Sequence, residues 1–395
     1  MTNTAKEPTS ERRLRVGVLG AGTIATASYG VLPNLGPIRH KVEIVAIADI
    51  VLERAASVAA QYGIPEAVSK LDELLEVDGL DAVLNLTPIP DHGETCTKIL
   101  EAGKHLATEK PLATTMEDAD RICDLAETRH LTVVCAPPNM LYPDRAEARR
   151  LVREGAIGKV AFARVRSSHG GPASGNWPLD PTWFYQKGSG PLFDMGVYGI
   201  QEITGILGPA QRVVAYSGIT EPVRTVRGGP FRGKEIEVTA DDNVLMMLDF
   251  GGSTYAVVDG TFNVNASKSP KIEIFGREGT LNVTGTAGPG GLEIFRLDAV
   301  PGLRGWIVPS LSEVQEKIQW TSGLGRAVLL DHLADCVAGR ATPVLSAAHA
   351  RHQLEIMLKA EESARKGQVV ELSTSFSLPD EAGPAVGAAA GSMLG

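Results

Sequence analysis

The chain has 395 residues, 43% of them hydrophobic and 22% charged, with a formal net charge of −9 at pH 7. That length predicts two domains, the acidic balance argues against a nucleic-acid-binding face, and no uncharged apolar run is long enough to span a membrane. Cys96, Cys123, Cys135 and Cys336 form no CxxC pair, as expected of reduced thiols in a cytoplasmic protein.

Residues 1–12 are polar and read as a flexible tail. Ser10-Glu11-Arg12-Arg13 ahead of LRVGVLGAGTIATA has the outline of a twin-arginine export signal. Cleavage near Ala25–Ala27 would remove a strand and a glycine-rich turn, so the stretch is read instead as tail followed by strand. LRVGVLG (14–20), VEIVAIAD (42–49), DAVLNLT (81–87), KHLATE (104–109) and LTVVCA (131–136) read as strands. The helical patterns VLERAASVAAQYG, HGETCTKILEAGKH and MEDADRICDLAETRH lie between them. This alternation predicts a doubly wound parallel sheet over residues 13–137.

The first strand ends in Gly20-Ala21-Gly22-Thr23-Ile24-Ala25, a GxGxxA turn. Gly20 permits the turn, Gly22 lets backbone approach a pyrophosphate, and Ala25 lets helix pack on strand, with free N–H groups facing the phosphates. Asp49 ends the second strand, where a carboxylate either accepts the ribose hydroxyls of adenosine or caps the next helix. The first role favours NAD over NADP, and Arg54 is the nearby group that would favour a phosphate. The loop Asn85–His92 and the edge Thr108-Glu109-Lys110-Pro111 follow later strands, where such sheets expose ligand-binding loops. Pro111 restricts the backbone of Lys110, although Glu109–Lys110 reads equally as a solvated ion pair.

PPNMLYPDRAEARRLVREGAIG (137–158) predicts an amphipathic helix. KVAFARVRSSHG, RVVAYSGIT, DNVLMMLDF, STYAVVDGTF, KIEIFGREGTLNV and LEIFRLD then read as strands, mainly antiparallel because tight turns such as Gly251-Gly252 join them. Helices are expected at 326–338 and 346–366, closing a second domain over 138–377, and residues 378–395 read as a flexible extension. Within that domain, SHGGPASGNWPLDPTWFY (168–185) concentrates Trp177, Trp183, Phe184 and Tyr185 in a chain that is only 5% aromatic. Such rings suit the C–H faces of a sugar, with His169, Asn176 and Asp180 toward hydroxyls, or else they anchor a long loop. The glycine-rich GSGPLFDMGVYG (188–199) sets Asp194 and Tyr198 four residues apart, on one face of a helical turn. His349 and His352 share a helix face with no carboxylate or thiolate motif, so no metal site is expected.

GAGTIA, TPIPDH, AGKHLATEKPLA and GSGPLFDMGVY occur in the order found in the Gfo/Idh/MocA oxidoreductases, which the chain resembles from about residue 14 to residue 370. The resemblance implies an α/β protein with an N-terminal Rossmann domain and a C-terminal α/β domain on a large, open, mostly antiparallel sheet. It implies NAD(P)-dependent hydride transfer to or from a secondary alcohol or carbonyl of a sugar, glycoside or cyclitol, in a homodimer or homotetramer covering the open sheet. By motif, the cofactor residues would be Gly20, Gly22, Thr23, Ile24, Asp49, Thr87, Pro88, His92, Glu109 and Lys110. Lys110, His169, Trp177, Trp183, Asp194 and Tyr198 would meet substrate, with Lys110, Asp194 and Tyr198 catalytic. Tyr198 stands where many members carry histidine, Ile89 where asparagine is common, and Gln201 where histidine-bearing members often have aspartate.

Oxidising a carbinol needs a base for its proton and a cation for the developing oxyanion. A phenol is a weak base near neutrality unless a neighbouring cation stabilises its anion, and Lys110 is the expected cation. Asp194 is expected to accept a substrate hydroxyl or orient Lys110. Two further readings share the resemblance: NAD-dependent glycoside cleavage, and a non-catalytic NAD-sensing regulator.

Overall fold

The computed structural model describes residues 12–285, 291–300, 303–309, 321 and 323–379. Apart from Arg12, Leu378 and Pro379, the tails expected over 1–12 and 378–395 lie outside the described residues.

Short apolar runs with little polar alternation form strands covered on both faces, β1 (Leu14–Leu19), β2 (Val42–Ala48), β4 (Ala82–Asn85), β5 (His105–Thr108) and β6 (Val133–Cys135), and the partly exposed β3 (Glu66–Val68) adds an edge. All pair in parallel, in the order β3-β2-β1-β4-β5-β6. The order reverses between β1 and β4, and the loops after those strands open a crevice there. Helices α1 (Thr23–Thr26), α2 (Leu52–Tyr62), α3 (Leu71–Leu75), α4 (His92–Glu101) and α5 (Met116–Thr128) connect the strands. α1 is a single turn, because Pro33 and Pro37 start the 3₁₀ segments Leu32–Asn34 and Gly36–Ile38 in place of a continued helix.

Beyond α6 (Pro143–Arg153), strand β7 (Val160–Arg166) enters a second sheet, and α7 (Val197–Leu207) lies across it. β8 (Arg212–Gly218), β11 (Asn243–Asp249), β12 (Tyr255–Thr261), β13 (Ile272–Gly276), β14 (Gly279–Val283), β15 (Leu292–Val300), β16 (Leu303–Ile307) and β17 (Val370–Glu371) complete it. Among the described residues it has nine strands in the order β16-β15-β14-β13-β7-β12-β11-β8-β17. Pairing is antiparallel except between β7 and β12. A separate ribbon pairs β9 (Val223–Thr225) with β10 (Glu235–Glu237). The short strands β3, β9, β10 and β17, together with β16, escaped the sequence reading. Most are too brief to display a period of two.

The two C-terminal helices belong spatially to both sheets. α8 (Val328–Val337) packs on β5 and β6, whereas α9 (Ala347–Lys366) packs on β8 and α7 and also on α5 and β6. Lys41 fastens α8 through Asp331 at 2.7 Å and Asp335 at 2.9 Å, and the Cys135 N–H donates to the Leu345 carbonyl at 2.9 Å.

Candidate active site

At the β1–α1 turn Gly20 has φ +104°, and a Cβ there would lie 2.8 Å from the Leu86 carbonyl oxygen, so the turn demands glycine. Gly22 precedes α1 and faces open space, with nothing within 4 Å of an added Cβ, while Ala25 is fully buried. Asp49 accepts the N–H groups of Ala21 and Val51, each at 2.9 Å, and takes Arg54 in a two-point pair at 2.6 and 3.0 Å. Burial works against the ionised form of Asp49, but these donors outweigh it and hold the carboxyl below its ordinary value. The open backbone at Gly22 and the ionised group at the end of β2 fit the pyrophosphate and ribose of a dinucleotide.

A cavity of about 910 Å³ lies between the two sheets. Thr23, Ile24, Thr87, Pro88, Glu109 and Lys110 line it from the first sheet, and His169, Trp177, Trp183, Asp194 and Tyr198 from the second. Gly20, Gly22 and Asp49 stand outside its wall, at the β1 and β2 ends. His92 also borders it, but its ring is fully buried, with Nδ1 2.6 Å from the Pro111 carbonyl and Nε2 2.9 Å from that of Thr87. A backbone carbonyl oxygen therefore stands against each ring nitrogen, and the ring is wedged between the two loops.

The glycine-rich stretch folds as a π-helical turn, Leu192–Gly196, that runs directly into α7. Asp194 and Tyr198 consequently enter one cavity, although the intervening backbone is not a plain α-turn. Lys110 reaches across from β5: its Nζ donates to the Asp194 carbonyl at 2.7 Å and to that of Phe193 at 3.4 Å, with the Asp194 carboxylate at 3.5 Å. Burial disfavours its charge, but Tyr198, Asp194 and Glu109 outweigh that and hold the ammonium above its ordinary value. The lysine sits 5.3 Å from the centroid of the Tyr198 ring, so it faces the ring. The phenol oxygen is taken by another cation: Arg326 Nη2 donates to it at 3.0 Å, and Arg326 Nη1 lies 3.6 Å from Glu109.

On the other side, His169 Nδ1 accepts the Gly171 N–H at 2.8 Å, which leaves Nε2 toward Asp194 at 3.9 Å. Burial lowers the His169 pKa, partly offset by Asp194. Trp177 and Trp183 set their edges against Phe184, at centroid distances of 5.6 and 5.9 Å, and remain partly exposed. Tyr185 is buried against Phe262, its hydroxyl accepting the Ala173 N–H at 3.1 Å. Tyr185 thus anchors the loop, and the two tryptophans line the cavity. Asp180 is committed to Lys234 at 2.6 Å and to Thr182, which hold its carboxyl down to about 2.

Arg326, Tyr29, Phe193 and Met195 also line the cavity without having been singled out in the sequence. For Phe193 and Met195 the signal was present, since both sit inside the glycine-rich stretch. Arg326 carries no local signal, because its partners Tyr198 and Glu109 are far away in the chain. Gln201 is buried and donates to the Pro137 carbonyl, outside the cavity wall. Among the described residues no His, Cys, Asp or Glu cluster is placed to hold a metal ion, and no helix is long and apolar enough to cross a membrane.

Comparison with known proteins adds the family context. Residues 14–136 match the Gfo/Idh/MocA oxidoreductase family with its NAD-binding Rossmann fold, and residues 146–282 match the C-terminal domain of the same family. The chain is 29% identical over 294 residues to levoglucosan dehydrogenase of Pseudarthrobacter phenanthrenivorans, covering 68% of this chain and 73% of that one. It is 25% identical to the NAD(+)-dependent scyllo-inositol 2-dehydrogenase of Bacillus subtilis, over 92% and 97% of the two chains. Among solved structures, an NAD-binding oxidoreductase of Klebsiella pneumoniae superposes with a TM-score of 0.79 at 22% identity, over 92% of this chain and all of that one.

Proposed function

The chain belongs to the Gfo/Idh/MocA family of NAD-binding oxidoreductases, and on that premise we propose that it oxidises a secondary alcohol of a sugar, glycoside or cyclitol, or reduces the matching carbonyl. The observation that carries this reading is the convergence of Lys110, Asp194 and Tyr198 on one cavity with Thr23, Ile24, Thr87 and Pro88. When bound, the nicotinamide supplies the hydride acceptor or donor. Gly20, Gly22 and Asp49 would hold the rest of the dinucleotide, and Arg54, already paired with Asp49, is not free to attract a 2′-phosphate. That pairing favours NAD over NADP.

In alcohol oxidation Tyr198 takes the hydroxyl proton, and the Lys110 ammonium stabilises the negative charge developing on the substrate oxygen. The Asp194 main chain aims that ammonium, leaving its carboxylate to accept a neighbouring hydroxyl of a polyol. Trp177 and Trp183 offer apolar faces to the C–H side of a ring. The related dehydrogenases of levoglucosan and scyllo-inositol act on substrates of this class. Free thiols at all four cysteines suit a reducing, cytoplasmic setting.

A panel of polyols and glycosides offered with NAD or NADP, read by absorbance of the reduced cofactor, tests the proposal. Tyr198→Phe should lower kcat by about 10²-fold or more while leaving cofactor affinity unchanged. Near-normal turnover in that variant removes Tyr198 from the chemistry. Cleavage of a glycoside without net reduced cofactor assigns the site to redox-assisted glycoside cleavage instead.

A further inference from the structure

Building on the dehydrogenase reading, we propose that Arg326 is a positioning residue for proton transfer: it holds the Tyr198 oxygen and stabilises its anion, while Lys110 serves the substrate oxygen. A guanidinium has donors and no acceptor, so in the 3.0 Å contact the phenol oxygen must be the acceptor. The tyrosine's own O–H is then directed elsewhere, toward the cavity that both residues line. Lys110 is not equivalent, because its ammonium faces the Tyr198 ring, 5.3 Å from the centroid, rather than the phenol oxygen.

Arg326 is delivered from a constrained turn. Gly325 has φ +48°, and a Cβ there would lie 2.6 Å from the Tyr29 carbonyl oxygen, to which the Arg326 N–H donates at 3.0 Å. Glu109 then holds the second guanidinium nitrogen from the β5 edge. The EKP glutamate thereby orients the cation that faces the tyrosine, and the EKP lysine faces the substrate. The charged and titratable groups around the tyrosine are Glu109 and Lys110 from the β5 edge, Asp194 from the π-turn, Tyr142 from the segment before α6, and Arg326 itself. Glu109 and Tyr198 keep the guanidinium fully charged.

During oxidation Tyr198 acts as the phenolate, its own proton first released through the cavity to solvent; the substrate O–H bond breaks and a new O–H bond forms on the Tyr198 oxygen, as the carbinol carbon gives up hydride to the nicotinamide. Arg326 donates its hydrogen bond before and after this step and transfers no proton.

The test uses Arg326→Met and Arg326→Lys in the full chain. Its first readout needs no substrate: the phenolate ultraviolet band is followed with rising pH, each protein minus its Tyr198→Phe counterpart. Arg326→Met should move the midpoint upward by about one to three pH units, and Arg326→Lys should restore most of the difference. An unmoved midpoint overturns the proposal. The second readout is turnover of a polyol that the native chain oxidises. kcat should fall about tenfold or more at neutral pH in Arg326→Met, recover at alkaline pH, and leave KM unchanged. A raised KM with kcat intact overturns the proposal and makes Arg326 a substrate-binding group. If no polyol is oxidised by the native chain but the midpoint moves, the arginine–tyrosine coupling stands and the dehydrogenase reading falls.

Discussion

Asp49 and Arg54 illustrate how one residue's choice of partner sets another's selectivity. The carboxylate draws the arginine into a two-point contact, and Arg54 stops being a phosphate receptor for as long as that contact holds. Asp49→Ala should therefore weaken NAD binding about tenfold or more, through loss of an ionised acceptor, and raise the affinity for NADP because Arg54 is released. Fluorescence titration with both dinucleotides checks this. An unchanged NAD-to-NADP ratio would mean that neither residue reads the ribose. At this scale the sequence was informative where a residue sits inside a recognisable motif, as with Gly20, Lys110 and Asp194, even though Lys110 meets Asp194 from 84 positions away. It was silent about Arg326, whose partners come from β5 and α7.

Helices α8 and α9 carry three histidines with a shared dependence on the neutral ring. His332 Nε2 accepts the Val344 N–H at 3.0 Å, His352 Nε2 accepts the Ala210 N–H at 3.1 Å, and His349 Nε2 lies 2.8 Å from the Thr204 hydroxyl. Burial pushes His332 and His352 down to about 4 and His349 to about 3. In the unfolded chain an imidazole titrates near 6.5, so between about pH 6.5 and 4 the unfolded state binds more protons. The stabilisation is fully present above about pH 6.5 and is lost as the pH falls toward 4 for His332 and His352 and toward 3 for His349, on the order of 3 kcal/mol for each of the first two and about 5 for the third. Melting temperature should drop steeply across that window. His352→Gln keeps an acceptor that takes no proton and should flatten the profile, whereas an equal slope would show that the ring stays neutral for another reason.

The same two helices mark how far periodicity could be read. Their existence was legible, as were the alternating strands and helices of the first sheet and the hairpins β11–β12 and β13–β14, because each is specified by local pattern and turn glycines. Their placement was not. Nothing in the spacing of VLLDHLADCV tells which sheet an amphipathic face will meet, and α8 packs back on β5 and β6 of the first. The single-turn α1 was likewise hidden, since a glycine-rich turn announces where a helix starts better than where it stops.

For the molecule as a whole, the second sheet presents, among the described residues, one covered face and one exposed one. By register, Tyr216, Leu245, Met247, Val257, Tyr255 and Phe162 project together from β8, β11, β12 and β7 on the side away from α7, all of them exposed. We propose that a second copy of the chain covers this face, because an apolar patch of this kind on a lone monomer is unfavourable. Met247→Glu combined with Val257→Glu should convert the assembly to monomers in light scattering while the polyol activity of each chain persists. A native chain that is already monomeric would sink the idea.

Lys41's grip on α8, the Cys135–Leu345 hydrogen bond and the Arg326 turn seated on Tyr29 together impose an order on biosynthesis. A ribosome that has released both sheets up to β15 has delivered the dinucleotide turn, Lys110 and Tyr198. The flank of β5 and β6 still awaits α8 and α9, and the tyrosine still lacks its arginine. The nascent first sheet must therefore hold an uncovered apolar flank while strands β7 to β16 are being made, and Tyr198 acquires its guanidinium only after them.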